Sequence, residues 1–274
     1  MNRTITLSTC TFGPLPENSD VICRHFDMAM EAGFDGFELC MIPENVIPYV
    51  LKAIRQTEAK IVAVHGVPRG DWLAADPAVQ KTSAQASARY LAFFEEFAPC
   101  PVIQHYIDRY NDPEPGKNFR AIMEILLEET EKLNFLFCME NAPYKPEVDE
   151  RFPTVAEVAR FARSFGENRM FMTFDLNHAN LHEDPAAVCA DCAGLVKHIH
   201  ISDNHGIREE HLVPGTGTMD LAEIMAALAK HGYTGPWNLE FSFPKAEVPT
   251  VEKYRQVYQY MQTLLDKPGF ADIL

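Results

Sequence analysis

The chain has 274 residues, of which 24 are basic and 39 are acidic, so its net charge at pH 7 is −15. This excess of negative charge disfavours nucleic acid and anionic membranes as partners, because both bind positively charged faces. No apolar run reaches the ~18 residues that span a bilayer, and the first residues lack the apolar core of a secretory signal. We therefore expect a cytoplasmic protein without a membrane segment.

A short β-rich run, a turn and an amphipathic helix recur in that order about every 30 residues. The predicted strands are Ile5–Cys10, Gly36–Cys40, Ile61–His65, Val102–Tyr106, Leu136–Asn141, Met170–Asp175, Val196–Ser202 and Trp237–Phe241. The predicted helices are Ser19–Ala32, Val46–Thr57, Pro77–Ala98, Phe119–Leu133, Val155–Ser164, Pro185–Ala193, Leu221–His231 and Val251–Asp266.

Eight strands that alternate with eight helices predict a closed (β/α)8 barrel, the TIM barrel, with residues 1–274 in a single domain. A doubly wound open sheet is the alternative fold. It would need covered edges and a topological switch point, and the first strand is followed by neither a G-x-G-x-x-G nor a Walker loop. In a barrel, the carboxyl ends of the strands surround one active-site mouth.

The seven cysteines are scattered along the chain, which is typical of free thiols in a reducing cytosol. Cys189 and Cys192 form one C-x-x-C in a predicted helix. A zinc site built on this motif would need a second pair, which the sequence lacks.

Metal-binding side chains stand at the carboxyl ends of most predicted strands. In chain order they are Glu38, His65, His105, Glu140, Asp175, His200 and Glu240, and His178 follows three residues after the aspartate. Glu140, Asp175, His200 and Glu240 come from four successive strands, so a barrel would bring them to one point. Three carboxylates and one imidazole suit a divalent ion of the Mn²⁺, Mg²⁺, Co²⁺ or Zn²⁺ type.

The segment from Val196 to Asp220 is the densest in such residues. His198 lies two residues before His200 on the same face of the strand, and we expect it deeper in the barrel. The following loop carries Arg208 and His211 and ends in a Pro-Gly-Thr-Gly turn. This turn leads into a helix, so its backbone could bind an anion.

These motifs resemble those of the xylose-isomerase-like barrels, which include sugar (phosphate) isomerases and epimerases and metal-dependent apurinic endonucleases. The resemblance covers essentially the whole chain and rests on GFDGFEL, VHG, MEN, FDLNHAN, HIHISDNHGIREEHLVPGTGTMD and GYTGPWNLEF. The stretch from His200 to Glu240 is the most specific. It is similar to the isomerase and epimerase branch, with H-x-x-D-N-x-G, E-H-L, a G-x-G turn and a final G-x-x-G-P-x-x-x-E.

The resemblance implies one divalent ion, with Mn²⁺ expected first and Zn²⁺, Mg²⁺ or Co²⁺ as alternatives. Its implied ligands are Glu140, Asp175, His200 and Glu240, with Glu140 and Glu240 also as the catalytic residues. The residues expected to contact the substrate are His65, His105, His178, Arg208, His211 and Trp72. Support of the ligands or a second metal remains an alternative role for both His65 and His105. A hydrogen bond within its loop or metal binding remains an alternative for His211, and simple packing of its loop remains one for Trp72.

The expected function is therefore that of a metal-dependent isomerase or epimerase of a sugar, sugar phosphate or sugar acid. The metal polarises a carbonyl, one carboxylate removes a carbon-bound proton to give a metal-bound enediolate, and a carboxylic acid on the other face returns the proton. A hydride shift is disfavoured because no lysine stands at the strand ends. We expect a small carbohydrate-like substrate and a homo-oligomer, either a dimer or a tetramer.

Two other functions remain open. The endonuclease branch binds three zinc ions, and the matching positions here are His65, His105, Glu140, Asp175, His178, His200, Glu209, His211 and Glu240. Glu209 stands where that branch has an aspartate, and the acidic net charge and the lack of recognisable DNA-penetrating loops weigh against this phosphodiesterase. A lyase or dehydratase of polyols or keto acids would use the same enolate chemistry on the same barrel.

Overall fold

The structure is a computed structural model that describes residues 3–66, 69–107, 116–143, 153–245 and 247–267. The strands are β1 (Ile5–Ser8), β2 (Phe37–Cys40), β3 (Ile61–His65), β4 (Pro101–His105), β5 (Leu136–Glu140), β6 (Phe171–Asp175), β7 (Val196–His200) and β8 (Trp237–Leu239). The α-helices are α1 (Ser19–Ala32), α2 (Ile47–Thr57), α3 (Pro77–Ala92), α4 (Lys117–Glu129), α5 (Val155–Arg163), α6 (Leu176–Ala179), α7 (Pro185–Val188), α8 (Leu221–Lys230) and α9 (Val251–Leu265). Short 3₁₀ turns cover Thr9–Phe12, Glu95–Phe97 and Glu131–Leu133.

The eight strands form one parallel sheet in the order β7-β6-β5-β4-β3-β2-β1-β8. The sheet closes where Ile201, just beyond β7, forms a parallel bridge with Leu239 of β8. Ile201 N donates to Asn238 O at 2.9 Å, and Glu240 N donates to Ile201 O at 2.9 Å. The predicted (β/α)8 barrel is therefore confirmed, and the open doubly wound sheet is not adopted.

Several predicted elements differ in their bounds from those in the structure; the helix predicted as Pro185–Ala193, for example, ends at Val188. The first strand stops at Ser8 because the Ser8 side chain accepts the N–H of Cys10 and starts a 3₁₀ turn. The helix predicted to run to residue 98 ends at Ala92, and Ala98 is extended, as expected for a residue that precedes a proline. An additional helix, α6, directly follows β6 because the Asp175 side chain caps it by accepting the N–H of His178.

The helices pack their apolar faces on the outside of the barrel. In α1, Ile22, Phe26 and Ala29 are fully buried, and their spacing of four and then three residues places them on one face. Phe26 contacts Phe37 of β2 with ring centroids 4.7 Å apart. This burial removes large apolar surfaces from water and fixes the helices against the strands.

The interior of the barrel is polar at the level of the strand centres. Thr6 Oγ1 donates to Asn238 Oδ1 at 2.9 Å, and Ser8 Oγ donates to Glu38 Oε1 at 2.8 Å. All four side chains are fully buried. A buried polar group is tolerated when it is hydrogen-bonded, so these pairs form a satisfied layer beneath the mouth.

The Pro-Gly-Thr-Gly turn is held by a carboxylate of the chain itself. Asp203, which is buried, accepts the backbone N–H groups of Asn204 at 2.9 Å, Gly215 at 3.0 Å and Met219 at 3.2 Å. The backbone donors that could have bound an external anion are thus engaged by Asp203.

Among the described residues, no helix is long and apolar enough to cross a membrane.

We predict that Gly217→Ala destabilises this turn. A Cβ atom at residue 217 would lie 2.3 Å from Asp203 Oδ1 and 2.5 Å from Asn204 O, so the backbone of the turn must move. The expected loss in the free energy of unfolding is about 1 to 3 kcal/mol, measured by urea denaturation. Thr216→Ala, an exposed neighbour, is the control and should change the midpoint little; equal midpoints for the two variants would contradict the steric argument.

Candidate metal centre

Parallel strand pairing places metal-type side chains next to one another at the carboxyl end of the barrel. His105 on β4 is the register partner of Glu140 on β5, and Asp175 on β6 is the partner of His200 on β7. Glu240 directly follows β8, and closure of the barrel brings it beside His200. These contacts follow from the strand order and register of the closed barrel.

Four of these residues form one compact group. His200 Nδ1 lies 2.9 Å from Glu140 Oε1, 3.0 Å from Glu240 Oε2 and 3.7 Å from Asp175 Oδ2. One donor atom from each of the four lies within 4.8 Å of the others. Glu140, Asp175 and His200 are fully buried, and Glu240 is 5% exposed. The structure therefore brings together the four residues from which the sequence predicts a metal site.

Glu38 orients His200 from the opposite side of the ring. His200 Nε2 donates to Glu38 Oε2 at 2.7 Å, and His198 Nε2 donates to the same oxygen at 2.7 Å. Ser8 Oγ donates to the other oxygen of Glu38. With Nε2 engaged by Glu38, the Nδ1 atom of His200 is the one left to face the three carboxylates, as in the carboxylate–histidine–metal arrangement.

Two buried oxygen atoms in the group are suited to a cation. Glu140 Oε2 and Asp175 Oδ2 are inaccessible to water and accept no hydrogen bond of good geometry among the described residues, where their polar neighbours are imidazole nitrogens at 3.2 and 3.3 Å from Glu140 Oε2 and at 3.6 and 3.7 Å from Asp175 Oδ2. A buried carboxylate oxygen in that state is costly unless a positive charge compensates it. Three carboxylates and one imidazole nitrogen are also the donor types that Mn²⁺ and similar divalent ions accept. The residues present thus fit a divalent metal ion.

The surrounding histidines lower the pKa of three buried glutamates, Glu140, Glu240 and Glu38. Burial raises the pKa of Glu140, but the charges of His105 and His200 outweigh it, and the pKa lies well below its ordinary value. Burial likewise raises the pKa of Glu240, and His200 reverses that effect. The same holds for Glu38, where His200 and the hydrogen bond from His198 lower the pKa.

His200 shows the opposite shift. Burial lowers the pKa of His200, but the neighbouring Glu240, Glu38 and Glu140 carboxylates hold it well above its ordinary value. In the absence of a metal, protonated imidazoles therefore balance the buried negative charge. A divalent cation would take over that role and release protons from the histidines.

Two further donor groups flank the central four. His65 Nε2 and His105 Nε2 lie 3.3 Å and 3.2 Å from Glu140 Oε2. On the other flank, Glu209 Oε1 lies 3.4 Å from His178 Nε2 and 2.9 Å from His211 Nε2. Each trio places one donor atom per residue within 4.8 Å of the others. The mouth therefore carries a continuous arc of histidines and carboxylates.

Asn141 ties this arc to the barrel. Its Oδ1 accepts Asp175 N and its Nδ2 donates to Asp175 O, both at 2.9 Å. Its backbone oxygen accepts His178 Nδ1 at 2.8 Å. Because Nδ1 carries the donated proton, the Nε2 atom of His178 is the one that faces the mouth.

Two of the residues predicted to contact the substrate lie away from the donor arc. The side chain of Arg208 is 79% exposed, and its Nε lies 3.8 Å from Glu210 Oε1. Trp72 is buried, packs against Phe119 with ring centroids 5.8 Å apart, and donates from Nε1 to Arg69 O at 3.2 Å. A substrate contact by Arg208 or Trp72 stays a prediction.

The sequence reasoning missed two residues of the mouth, Cys10 and Cys40. Cys40 Sγ lies 3.7 Å from Glu240 Oε1 and 3.6 Å from His65 Nδ1. Cys10 lies two residues after Ser8, and Cys40 lies two residues after Glu38, the register partner of Ser8. The only signal for this pair in the sequence was that each cysteine follows its strand residue, Ser8 or Glu38, by two positions. This spacing becomes informative once Ser8 and Glu38 are known to be register partners.

Residues 26–264 match the family described as xylose isomerase-like TIM barrel. The chain therefore belongs to that family. Among curated relatives, an uncharacterised protein of Mycobacterium tuberculosis is 24% identical, covering 88% of this chain and 90% of the relative. An uncharacterised protein of Methanocaldococcus jannaschii is 28% identical over 45% of this chain and 42% of its own length. Fructoselysine 3-epimerase of Escherichia coli O157:H7 is 32% identical over 26% of each protein.

Solved structures of similar fold include L-ribulose 3-epimerase, with a TM-score of 0.74, 19% identity and coverage of 99% of this chain and 96% of the other. The 3-keto-D-glucoside 4-epimerase of Escherichia coli gives a TM-score of 0.73 and 21% identity, covering 96% of this chain and 100% of the other. At these identities the likeness shows the shared fold.

We predict that Asn141→Ala destabilises the fold at the end of β6. The variant leaves the buried N–H and C=O of Asp175 without their side-chain partners, at a cost of about 1 to 3 kcal/mol for each group. Urea denaturation measures the change in the free energy of unfolding. Asn118→Ala, which removes one part-buried bond to Leu73 O, is the control and should cost clearly less; an equal cost would contradict the structural role of Asn141.

Proposed function

We propose that this protein is a divalent-metal-dependent isomerase or epimerase of a small carbohydrate that works by proton transfer. The observation that carries the proposal is the buried group of Glu140, Asp175, His200 and Glu240. Two of its four donors are glutamates, and they reach the group from different parts of the barrel. A sugar, a sugar phosphate and a sugar acid all remain candidate substrates.

The four residues of the group would hold the ion, with His200 contributing Nδ1. A bound divalent ion supplies Lewis-acid polarisation of a carbonyl and an adjacent hydroxyl group. Glu38 keeps the His200 ring in the required orientation through the 2.7 Å hydrogen bond to Nε2. Asn141 holds Asp175 in position because its side chain is bonded to both the backbone N–H and the backbone C=O of Asp175.

Glu140 and Glu240 are the residues that would move protons. Both carboxylates are ionised, since the nearby histidines hold their pKa values well below the ordinary range, so either can accept a proton. Glu140 comes from β5, and Glu240 comes from the end of β8. An epimerase removes a proton on one face of a carbon atom with one such group and returns a proton on the other face from the second group, which must first take a proton up from the solvent or from a neighbouring imidazolium.

The histidines around the group are placed to orient a polyol. His105 is part-exposed at the mouth and contacts Glu140, whereas His178 and His211 lie on the opposite flank beside Glu209. Imidazole nitrogens can donate to or accept from hydroxyl groups, according to their protonation. Two proteins similar to this chain are named as sugar epimerases, fructoselysine 3-epimerase and L-ribulose 3-epimerase. These names support the proposal of a sugar epimerase.

We predict that removal of divalent metal abolishes turnover and that Mn²⁺ restores it. Glu140→Gln and Glu240→Gln should each lower kcat by about 10²- to 10⁴-fold, because each removes a group that exchanges a proton with the substrate. The measurement is turnover of a panel of ketoses, sugar phosphates and sugar acids in D₂O, with deuterium incorporation at the reacting carbon read by NMR.

Glu183→Gln is the matched control, because Glu183 is a part-buried glutamate outside the donor arc that accepts the N–H of Val155. It should retain activity. Full activity of Glu140→Gln and Glu240→Gln, or product formation in D₂O without deuterium incorporation, would contradict the proposed proton transfer.

A second prediction concerns Glu38. Glu38→Gln removes the charge that engages Nε2 of His200, so the affinity for the divalent ion should fall by about 10- to 100-fold. Isothermal titration with Mn²⁺ measures this affinity. Ser8→Ala, which removes only the hydroxyl group bonded to Glu38 Oε1, is the control and should have a smaller effect. An unchanged affinity in Glu38→Gln would show that this carboxylate does not support the metal ligand.

The flanking donor groups favour one other candidate, a multinuclear phosphodiesterase. His65, His105 and Glu140 form one trio, and His178, Glu209 and His211 form the other. The sites that bind metal separate the two functions: the isomerase or epimerase needs one ion in the group of Glu140, Asp175, His200 and Glu240, whereas zinc ions in both flanking trios as well, together with cleavage of an oligonucleotide with an abasic site, would establish the phosphodiesterase.

A further inference from the structure

Two thiols stand beside the carboxylate of Glu240, on the side that faces away from the proposed metal centre. β1 and β2 pair Ser8 with Glu38, and each cysteine follows two residues later on its own segment. Cys40 N donates to Thr9 Oγ1 at 2.8 Å, which binds the two segments together at this point. Cys40 is buried, and Cys10 is part-exposed.

Cys40 and Glu240 belong to two overlapping sets of three donors, one with His65 and one with Cys10. The edges of the triangle formed by Cys40 Sγ, Glu240 Oε1 and His65 Nδ1 measure 3.7, 3.6 and 3.6 Å. Cys10 Sγ, Cys40 Sγ and a Glu240 oxygen all lie within 4.8 Å of one another. Zinc binds thiolate at about 2.3 Å and nitrogen or oxygen at about 2.0 to 2.2 Å, so neighbouring tetrahedral donors lie about 3.3 to 3.8 Å apart.

Glu240 separates this donor set from the proposed metal centre. Its Oε2 faces His200 Nδ1 at 3.0 Å, whereas its Oε1 faces Cys40 Sγ at 3.7 Å. The two oxygens of one carboxylate thus point to two different sets of donors. One set is rich in oxygen, and the other contains two sulfur atoms.

We propose that Cys10, Cys40 and Glu240 form a second cation site, selective for a thiophilic ion of the zinc class. Thiolate ligands select zinc and softer ions over Mg²⁺ and Mn²⁺, which prefer oxygen. A thiophilic ion would therefore bind beside the two thiols, and Mg²⁺ or Mn²⁺ would bind in the oxygen-rich group around His200. This site goes beyond the proposed function, and its existence does not depend on which substrate the protein converts.

Loading of the site is a ligand exchange without oxidation. Each thiol gives its proton to the solvent, and each resulting thiolate forms one coordinate bond, so one divalent ion releases two protons. In the metal-free protein the Cys40 thiol keeps its proton, because its hydrogen bond with Cys10, its burial and the nearby Glu240 carboxylate raise its pKa.

The test is a titration of the reduced full-length protein, kept in excess Mn²⁺, with Cd²⁺. Cadmium bound to thiolate gives an ultraviolet charge-transfer band that oxygen and nitrogen ligands do not give. We expect the band to saturate at one Cd²⁺ per chain and to be lost in Cys10→Ser and in Cys40→Ser. The Cys189→Ser/Cys192→Ser double variant is the matched control, because this pair is buried in the turn that follows α7, and it should keep the band. A band that persists in Cys10→Ser and Cys40→Ser, or that disappears in the control, would overturn the proposal.

A measurement on the unmodified chain removes any dependence on folding of the variants. Cys10 is part-exposed, so iodoacetamide can alkylate it, and peptide mass spectrometry measures the extent. We expect Zn²⁺, but not Mg²⁺, to protect Cys10 from alkylation. Equal labelling of Cys10 with Zn²⁺ and with Mg²⁺ would refute the site even if the cysteine variants failed to fold.

Discussion

Four carboxylates buried within one barrel mouth impose the constraint on which the rest of this structure depends. Glu38, Glu140, Asp175 and Glu240 are at most 5% exposed, and ionised groups in such an environment require nearby positive charge. His200 meets this need in the metal-free chain, because it contacts all four of them. The negative charge of these buried carboxylates is therefore compensated either by protons on imidazoles or by a divalent ion.

The barrel supplies the rigidity that such a cluster needs. Glu38 fixes His200, Asn141 fixes Asp175, and Asp203 fixes the turn that follows the His200 strand. Each of these side chains is buried and bonded to its target at 3.2 Å or less. Because the positions of the donors are set by parallel strands and by these bonds, the cluster is preorganised and needs little rearrangement to receive a cation.

The Glu240 carboxylate belongs both to the proposed metal centre and to the donor set that contains the thiols. Glu240 contributes Oε2 to the group around His200 and Oε1 to the neighbourhood of Cys40 and His65. A cation on the sulfur side would compete for the same side chain that the proposed reaction uses to exchange a proton. The occupancy of one site is therefore expected to affect the chemistry of the other, through a single shared residue.

The eight-fold alternation of strand and helix predicted the barrel, and the residue types at the strand ends predicted the group of Glu140, Asp175, His200 and Glu240. Both follow from local patterns, because parallel strands in a closed barrel place their carboxyl ends on one ring whatever the details of packing. The partners of Glu38 and the approach of Cys10 to Cys40 were not predicted. Glu38 is separated from His198 by 160 residues and Cys40 from Glu240 by 200, so their contacts depend on register, side-chain rotamers and the point of barrel closure. Those features are decided only when all eight strands pack together, because no local pattern specifies which oxygen of a buried carboxylate faces which neighbour.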